Sequence, residues 1–282
     1  MAKRTENPAI DILEIQLGQI KCHIVGTAPM IMHRFGAKAV NQLLLPAPKK
    51  NAAERATTLK HDPVAEFRES IYMNRDPKTP AAIHVPTDAF GKAIADVALD
   101  VPGAKKAQLM RLTSIADTHI DLFGLPRLGM DMVRSSDQAR TPDVRTRAYF
   151  PRWACALTVR YVRGLLKENQ IVNLLGAAGM IRGIGDWRPQ KGGSHGTFKV
   201  VPSDDPEYLD IVKKEGRKPQ LDAIAKPVCF DSDSEELLAW FHAEIKRRER
   251  DNELVSSGVR TPLSKARRLP PKKDGNGAHL EA

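Results

Sequence analysis

The chain has 282 residues, 41% of them hydrophobic and 28% charged, which is material for one large domain or two small ones with a substantial core. Its longest uncharged apolar run, Ile171 to Ile181, is about half of the roughly 20 residues that a bilayer-spanning helix needs, and the opening MAKRTENPAID has no apolar signal core, so membrane insertion and secretion are not expected. Cys22, Cys155 and Cys229 lie far apart, which excludes a CxxC pair, a zinc spacing and a disulfide framework. A cytoplasmic setting without metal or cofactor is expected.

The 44 Lys and Arg exceed the 34 Asp and Glu by 10, and such an excess favours polyanionic partners. Residues 258–282 account for a net +4 of it (six basic, two acidic), so the body is basic on its own. Its densest stretch is 134–163, where Arg134, Arg140, Arg145, Arg147, Arg152, Arg160 and Arg163 face only Asp137 and Asp143.

In chain order, Leu13, Ile15, Leu17, Ile20, Cys22 and Ile24 alternate with polar residues about Gly18, the period-two pattern of a half-buried strand. Residues 30–45 mix apolar and basic residues, and residues 46–80 are expected to be an insertion, with a helix at about 63–72 and too little apolar content for a core of its own. A helix opens at Thr87, whose hydroxyl suits an N-cap, and carries Phe90, Ile94, Val97 and Ala98 on one face before Pro102-Gly103. A short helix at 104–112 and a strand at about 115–123 follow. Residues 124–150, rich in arginine and poor in periodicity, are expected to project as a basic hairpin.

Cys155, Leu157, Val159 and Tyr161 alternate with Thr158 and Arg160 in a strand over 154–162, and Ile171, Leu174, Leu175 and Ala178 mark one face of the helix after it. Seven of the 19 glycines then fall within residues 176–196, ahead of a short strand at 197–201. In the C-terminal part, Ser232 and Glu235 fit a capping box that opens a helix through Leu237, Leu238, Phe241 and Ile245. Residues 257–282 are expected to be a disordered basic tail. The domain plan is therefore a body at 1–203, a helical extension at 204–256 and the tail.

The glycine-rich segment is the first candidate site. Glycine lets backbone amides approach a phosphate, Arg182, Arg188 and Lys191 supply charge, and Trp187 and Phe198 offer rings on which a base could stack. The competing reading is a tight helix-to-strand connection that needs positive φ, with Trp187 buried. GxxxxGK[ST] and GxGxxG spacings are absent, which disfavours an ATPase or a dehydrogenase. The eight histidines form no HExxH or HxH; His195 and His33 are the two placed for acid–base work beside a phosphodiester.

The order strand, helix, strand, basic hairpin, strand, helix, glycine-rich loop, strand is a split βαβ plan, so the expected fold is α+β, ferredoxin-like (RRM-like), with insertions. On two motifs, Val85-Pro86-Thr87-Asp88-Ala89-Phe90-Gly91-Lys92-Ala93-Ile94 and the loop from Gly183 to Phe198, the chain resembles the RAMP superfamily, in particular the backbone subunits that coat guide RNA in multi-subunit CRISPR complexes. It also has the look of a tailed-phage protein. The resemblance implies a thumb at 124–150 laid across the RNA, an insertion at 30–80 reaching a neighbour, and self-association along the strand.

The expected function is non-enzymatic binding of single-stranded nucleic acid, RNA favoured, by copies assembled side by side into a filament. Contacts are expected from Lys92, Arg134, Arg140, Arg145, Arg147, Arg152, Arg182, Gly183, Gly185, Trp187, Arg188, Lys191, Gly192, Gly193, His195 and Phe198, with other subunits of a ribonucleoprotein as further partners. Alternatives are a phage single-strand DNA-binding or annealing protein, a metal-independent RNA endonuclease using His195 or His33, and a structural phage assembly protein.

Overall fold

Alternation in β1 (Leu17–Gly26) sets the main sheet: Cys22 and Ile24 enter the core while Gln19 and Lys21 stay exposed on the other side. The computed structural model describes residues 14–45, 51, 59–103, 105–134 and 140–250. Among these the strand starts at Leu17; the expected start at Leu13 lies outside them, and Ile15 is exposed ahead of the strand. β1 pairs antiparallel with β8 (Ala154–Val162), Lys21 facing Thr158 and Ile24 facing Cys155, and along its other edge with β9 (Phe198–Val201). β8 also pairs with β4 (Thr113–Ile115) and β5 (Ile120–Phe123), and β5 with β3 (Ile83–Val85). The strand expected at 115–123 is thus two short strands, both antiparallel to β8.

The helix α3 (Thr87–Val97) lies in the connection from β1 to β4, and α5 (Glu168–Ala177) lies between β8 and β9. Phe90, Ile94, Ile171 and Leu175 from these helices share one core with Cys22, Ile24, Cys155 and Leu157. The fold is α+β, with antiparallel sheets and a helix layer on one face of the larger one. Thr87 does not cap α3. It is already the first helical residue, Pro86 is the N-cap, and no side chain bonds the free amides there.

The opposite face of the main sheet is covered at one end by α6 (Pro206–Lys214), whose Tyr208 and Ile211 pack with Val25, Phe123 and Ala154. Next to it, α7 (Arg217–Ala225) buries Gln220, which accepts from the Ala82 amide and donates to the carbonyls of Leu122 and Gly124. These bonds occupy an amide and two carbonyls at the sheet edge that would otherwise be buried unpaired. The other end of that face stays open, with Gln19, Lys21, Ser114 and Arg160 exposed.

Residues 124–150 differ from the expected projection. β6 (Arg127–Arg134) and β7 (Pro142–Phe150) form a hairpin whose far end lies outside the described residues, and β2 (Met30–Met32) adds to β7 to make a second, three-stranded sheet. Residues 146–150 are all buried, because β2 and α2 (Pro63–Glu69) pack over that half. The insertion that the resemblance implies at 30–80 is correspondingly less detached than expected: Met30, Met32, Phe67 and Ile71 all belong to the main core. α1 (Ala37–Leu44) follows β2, and α4 (Lys106–Leu112) precedes β4.

The last helix, α8 (Ser232–Arg250), is capped by Asp231 rather than Ser232: the Asp231 carboxylate accepts from the Ser234 amide at 2.8 Å, and the Ser234 hydroxyl accepts from the Met130 amide of β6 at 2.9 Å. One compact unit takes in the described residues up to Leu45 and from His61 to His242; the others, including 243–250, fall in a second. The tail expected at 257–282 lies outside the described residues.

His61 joins α2 to the second sheet, its Nδ1 lying 2.8 Å from Glu66 and its Nε2 2.9 Å from Asp143. The Glu66 carboxylate foremost, with Asp143, holds its pKa above the ordinary value despite partial burial. A pKa raised on folding adds stability that is complete below the unfolded value of about 6.5 and is lost as pH rises through the folded value. Urea midpoints of the wild type are therefore expected to fall between about pH 5.5 and about pH 8.5 by no more than about 1 kcal/mol, since the pair is partly exposed. In His61→Gln that fall should shrink; an unchanged fall would assign it to other groups.

Candidate nucleic-acid interface

The glycine-rich segment packs against β2 and so ties the two sheets together. α5 continues into a single π turn at Ala178–Arg182, and the chain then doubles back so that the Asp186 amide donates to Ile31 O (2.9 Å) and the Gly196 amide to Pro29 O (2.8 Å). Gly185 has φ +80°, and a Cβ there would press on the Ile31 carbonyl; Gly196 has φ +71°, and a Cβ there would overlap the Ile184 carbonyl. Both positions need glycine for chain geometry alone. Gly183 and Gly192 are also left-handed, and Gly193 sits against the backbone of Trp187. The connection reading explains these glycines without a ligand.

Trp187 is nonetheless not buried. It is 43% exposed and has φ +50°, a conformation that costs a non-glycine residue about 1–3 kcal/mol. Its carbonyl accepts from the His195 amide at 3.0 Å, its amide donates to Asp186 Oδ1 at 3.1 Å, and its ring lies over the Arg147 guanidinium at 5.4 Å. The indole is thereby held on the surface beside the second sheet.

Arg147 itself is an internal residue, 2% exposed. Its Nη2 donates to Asp131 at 2.6 Å and its Nη1 to Asp186, while the Tyr149 hydroxyl donates to Asp131 at 2.8 Å. Burial and the adjacent Asp131 hold the Tyr149 phenol well above its usual pKa; His33, 3.6 Å away, and Arg147 hold Asp186 well below the usual carboxylate range. His33 is thus engaged by Asp186. Arg147 is the strut between hairpin and loop, and its contact with a strand is corrected on that ground.

Other expected contacts are also committed elsewhere. Phe198, at 3% exposure, packs on Phe90 and Trp153 and offers no face to a base. Arg182 pairs with Asp100, Arg152 with Asp210 (2.9 Å) and with Glu215 (3.5 Å), and Lys92 with Asp88 (3.1 Å) in an exposed i,i+4 pair. Arg188 is half-buried and braces the loop by donating to Gly185 O (2.8 Å) and to Gln190 (3.0 Å). His195 lies edge-on to Tyr149, and burial lowers its pKa, so it is neutral near pH 7.

Among the expected contacts, Arg134, Arg140 and Arg145 of the hairpin segment and Lys191 of the loop are exposed and make no side-chain hydrogen bond or ion pair with a described residue, and the same holds for Arg127, which the sequence did not single out. Arg127 and Arg145 stand opposite Tyr149 and Asp131 in the ladder, so they share a sheet face with the Arg147 ion pairs and lie on the side of Trp187. Arg127 was missed because it lies outside the dense run of arginines, and only the strand register puts it on the face that carries Arg145.

No family model matches the chain, and no curated protein is significantly similar to it. Among solved structures it is similar to a chain of the cryo-EM structure of the Type III-B Cmr-beta bound to cognate target RNA, with 9% identity and a TM-score of 0.32, over 64% of this chain. It spans 59% of the length of that chain.

Proposed function

We propose that the protein is a non-enzymatic single-stranded nucleic-acid-binding protein of RAMP-like, ferredoxin-like plan, RNA favoured, whose copies line up along the phosphate backbone. The observation that carries this reading is an imbalance on the β6–β7 hairpin. Arg127, Arg134, Arg140 and Arg145 are exposed and make no side-chain hydrogen bond or ion pair with a described residue, while the hairpin's two described acids are engaged, Asp131 by Arg147 and Tyr149 and Asp143 by His61. Unneutralised guanidinia, two of them on the hairpin face that carries Arg147 under the exposed Trp187 ring, suit phosphates and bases together.

Each neutralised phosphate of a single strand contributes about 0.7 to the slope of log affinity against log salt. Binding to a fluorescent oligonucleotide is therefore expected to weaken steeply between about 50 and about 500 mM salt, and the combined Arg127→Ala, Arg134→Ala and Arg145→Ala variant to lose about two units of slope. Affinity independent of salt, or a triple variant with wild-type slope, would overturn the reading. Competition between RNA and DNA of one sequence separates the two polymers. Electron microscopy before and after nuclease treatment tests assembly along the strand: filaments should vanish with the nucleic acid.

A further inference from the structure

A second concave site lies away from the glycine-rich loop, where the segment after β2, the residues ahead of β3 and the β4–β5 turn converge. His84 of β3 and Asp121 of β5 are register partners, so both project from the same face at the edge of the main sheet. His84 stacks on His119, with ring centroids 4.5 Å apart and planes 13° from parallel, and the Tyr72 ring lies tilted against His84 at 5.7 Å. With Asn74 these rings line a cleft of about 1020 Å³, large enough for a small ligand, and Arg34 and Arg75 line the same cleft.

Four features of the cleft are unexplained by folding. Both guanidinia are exposed and form no side-chain hydrogen bond or ion pair with a described residue. Nδ1 of His84 is buried without a partner. His119 is exposed although one of its faces is covered by His84, which leaves an aromatic surface at the rim. Asp121 keeps only the 2.7 Å bond from Asn74, and burial raises its pKa, as for a carboxylate short of donors. Cations, a stacking ring and a hydrogen-bond acceptor in one cleft form the recognition set of a nucleoside phosphate: charge for the phosphate, a flat face for the base, an acceptor for its N–H edge.

We propose that this cleft is a nucleoside-phosphate site, in which Arg34 and Arg75 hold the phosphate, His119 stacks on the base and Asp121 accepts from the base edge. The ligand is either a free nucleotide or one unit of a strand. The site does not rest on the hairpin reading, since it shares no residue with it.

The test uses the full chain and guanosine monophosphate as probe, read through the imidazole NMR resonances of His84 and His119 and by calorimetry. Saturable shifts of both resonances are expected, with guanosine and inorganic phosphate each at least tenfold weaker because each supplies half of the contacts; Arg34→Ala with Arg75→Ala, both exposed and neutral for folding, should weaken binding by about tenfold or more. Arg145→Ala should leave it unchanged, so failure here is distinct from failure of the hairpin reading. Displacement of the probe by a short oligonucleotide assigns the ligand to a strand, and persistence of the probe assigns it to a free nucleotide. No saturable shift with either, inorganic phosphate binding as tightly as the nucleotide, or undiminished binding in the double variant would overturn the proposal.

Discussion

Replacing Arg147 with alanine is expected to cost about 3 kcal/mol of stability, the lower end for removing one partner of a buried ion pair, because Asp131 and Asp186 keep some contact with water. The guanidinium carries two carboxylates on separate elements, β6 and the glycine-rich loop, and underlies the Trp187 ring. Its loss leaves Asp131 with the Tyr149 hydroxyl and Asp186 with His33 and the Trp187 amide, so the hairpin and the loop lose their common strut. Arg147→Lys should recover little, since one ammonium cannot reproduce the forked geometry. Arg145→Ala, two residues away on an exposed position, should leave the urea midpoint unchanged and lower oligonucleotide affinity. Equal destabilisation by the two variants would show that Arg147 is not the strut.

Gly196→Ala is expected to have an effect of similar size, about 3 kcal/mol, seen as a fall of about 10 °C in Tm for a protein of this length. The residue has φ +71°, its amide bonds Pro29 and its carbonyl accepts from Ile184, so the backbone has no room to relax around a methyl group. Gly176→Ala is the control from the same glycine cluster. It sits in helix α5 with no atom in the way of a Cβ, and the substitution should stabilise the protein by about 0.5–1 kcal/mol. If both variants behaved alike, the loop would be looser than its hydrogen bonds imply.

The glycines also show how far the sequence reads. Their density marked residues 176–196 as unusual, but the same composition fits a phosphate cradle and a tight connection. Only the positions of Ile31, Pro29 and Ile184, distant or unpatterned in sequence, decide for the connection. Phe198 and Trp187 exchange roles on the same ground. Both are aromatic residues in a glycine-rich stretch, yet strand β9 turns Phe198 inward against Phe90 while the left-handed turn at residue 187 turns the indole outward. The cleft of His84 and His119 was invisible because its residues come from separate segments that backbone pairing about β3 brings together: β3 with β5, and residues 72–74 with β3 and its flank.

By itself the sequence determined the α+β class, the strands at β1 and β8 and the helices α3 and α5, because periods of two and of 3.6 are local properties of side-chain order. It also determined the basic excess and the region where it concentrates. The tertiary structure alone decided which of those charges face solvent. A guanidinium's partners depend on long-range register: Asp131 and Asp186 claim Arg147, Asp100 claims Arg182 and Asp210 claims Arg152, whereas Arg127, Arg134 and Arg145 form no ion pair with a described carboxylate. An ion pair forms where two chains come within a few ångströms, and spacing along the sequence does not encode that distance.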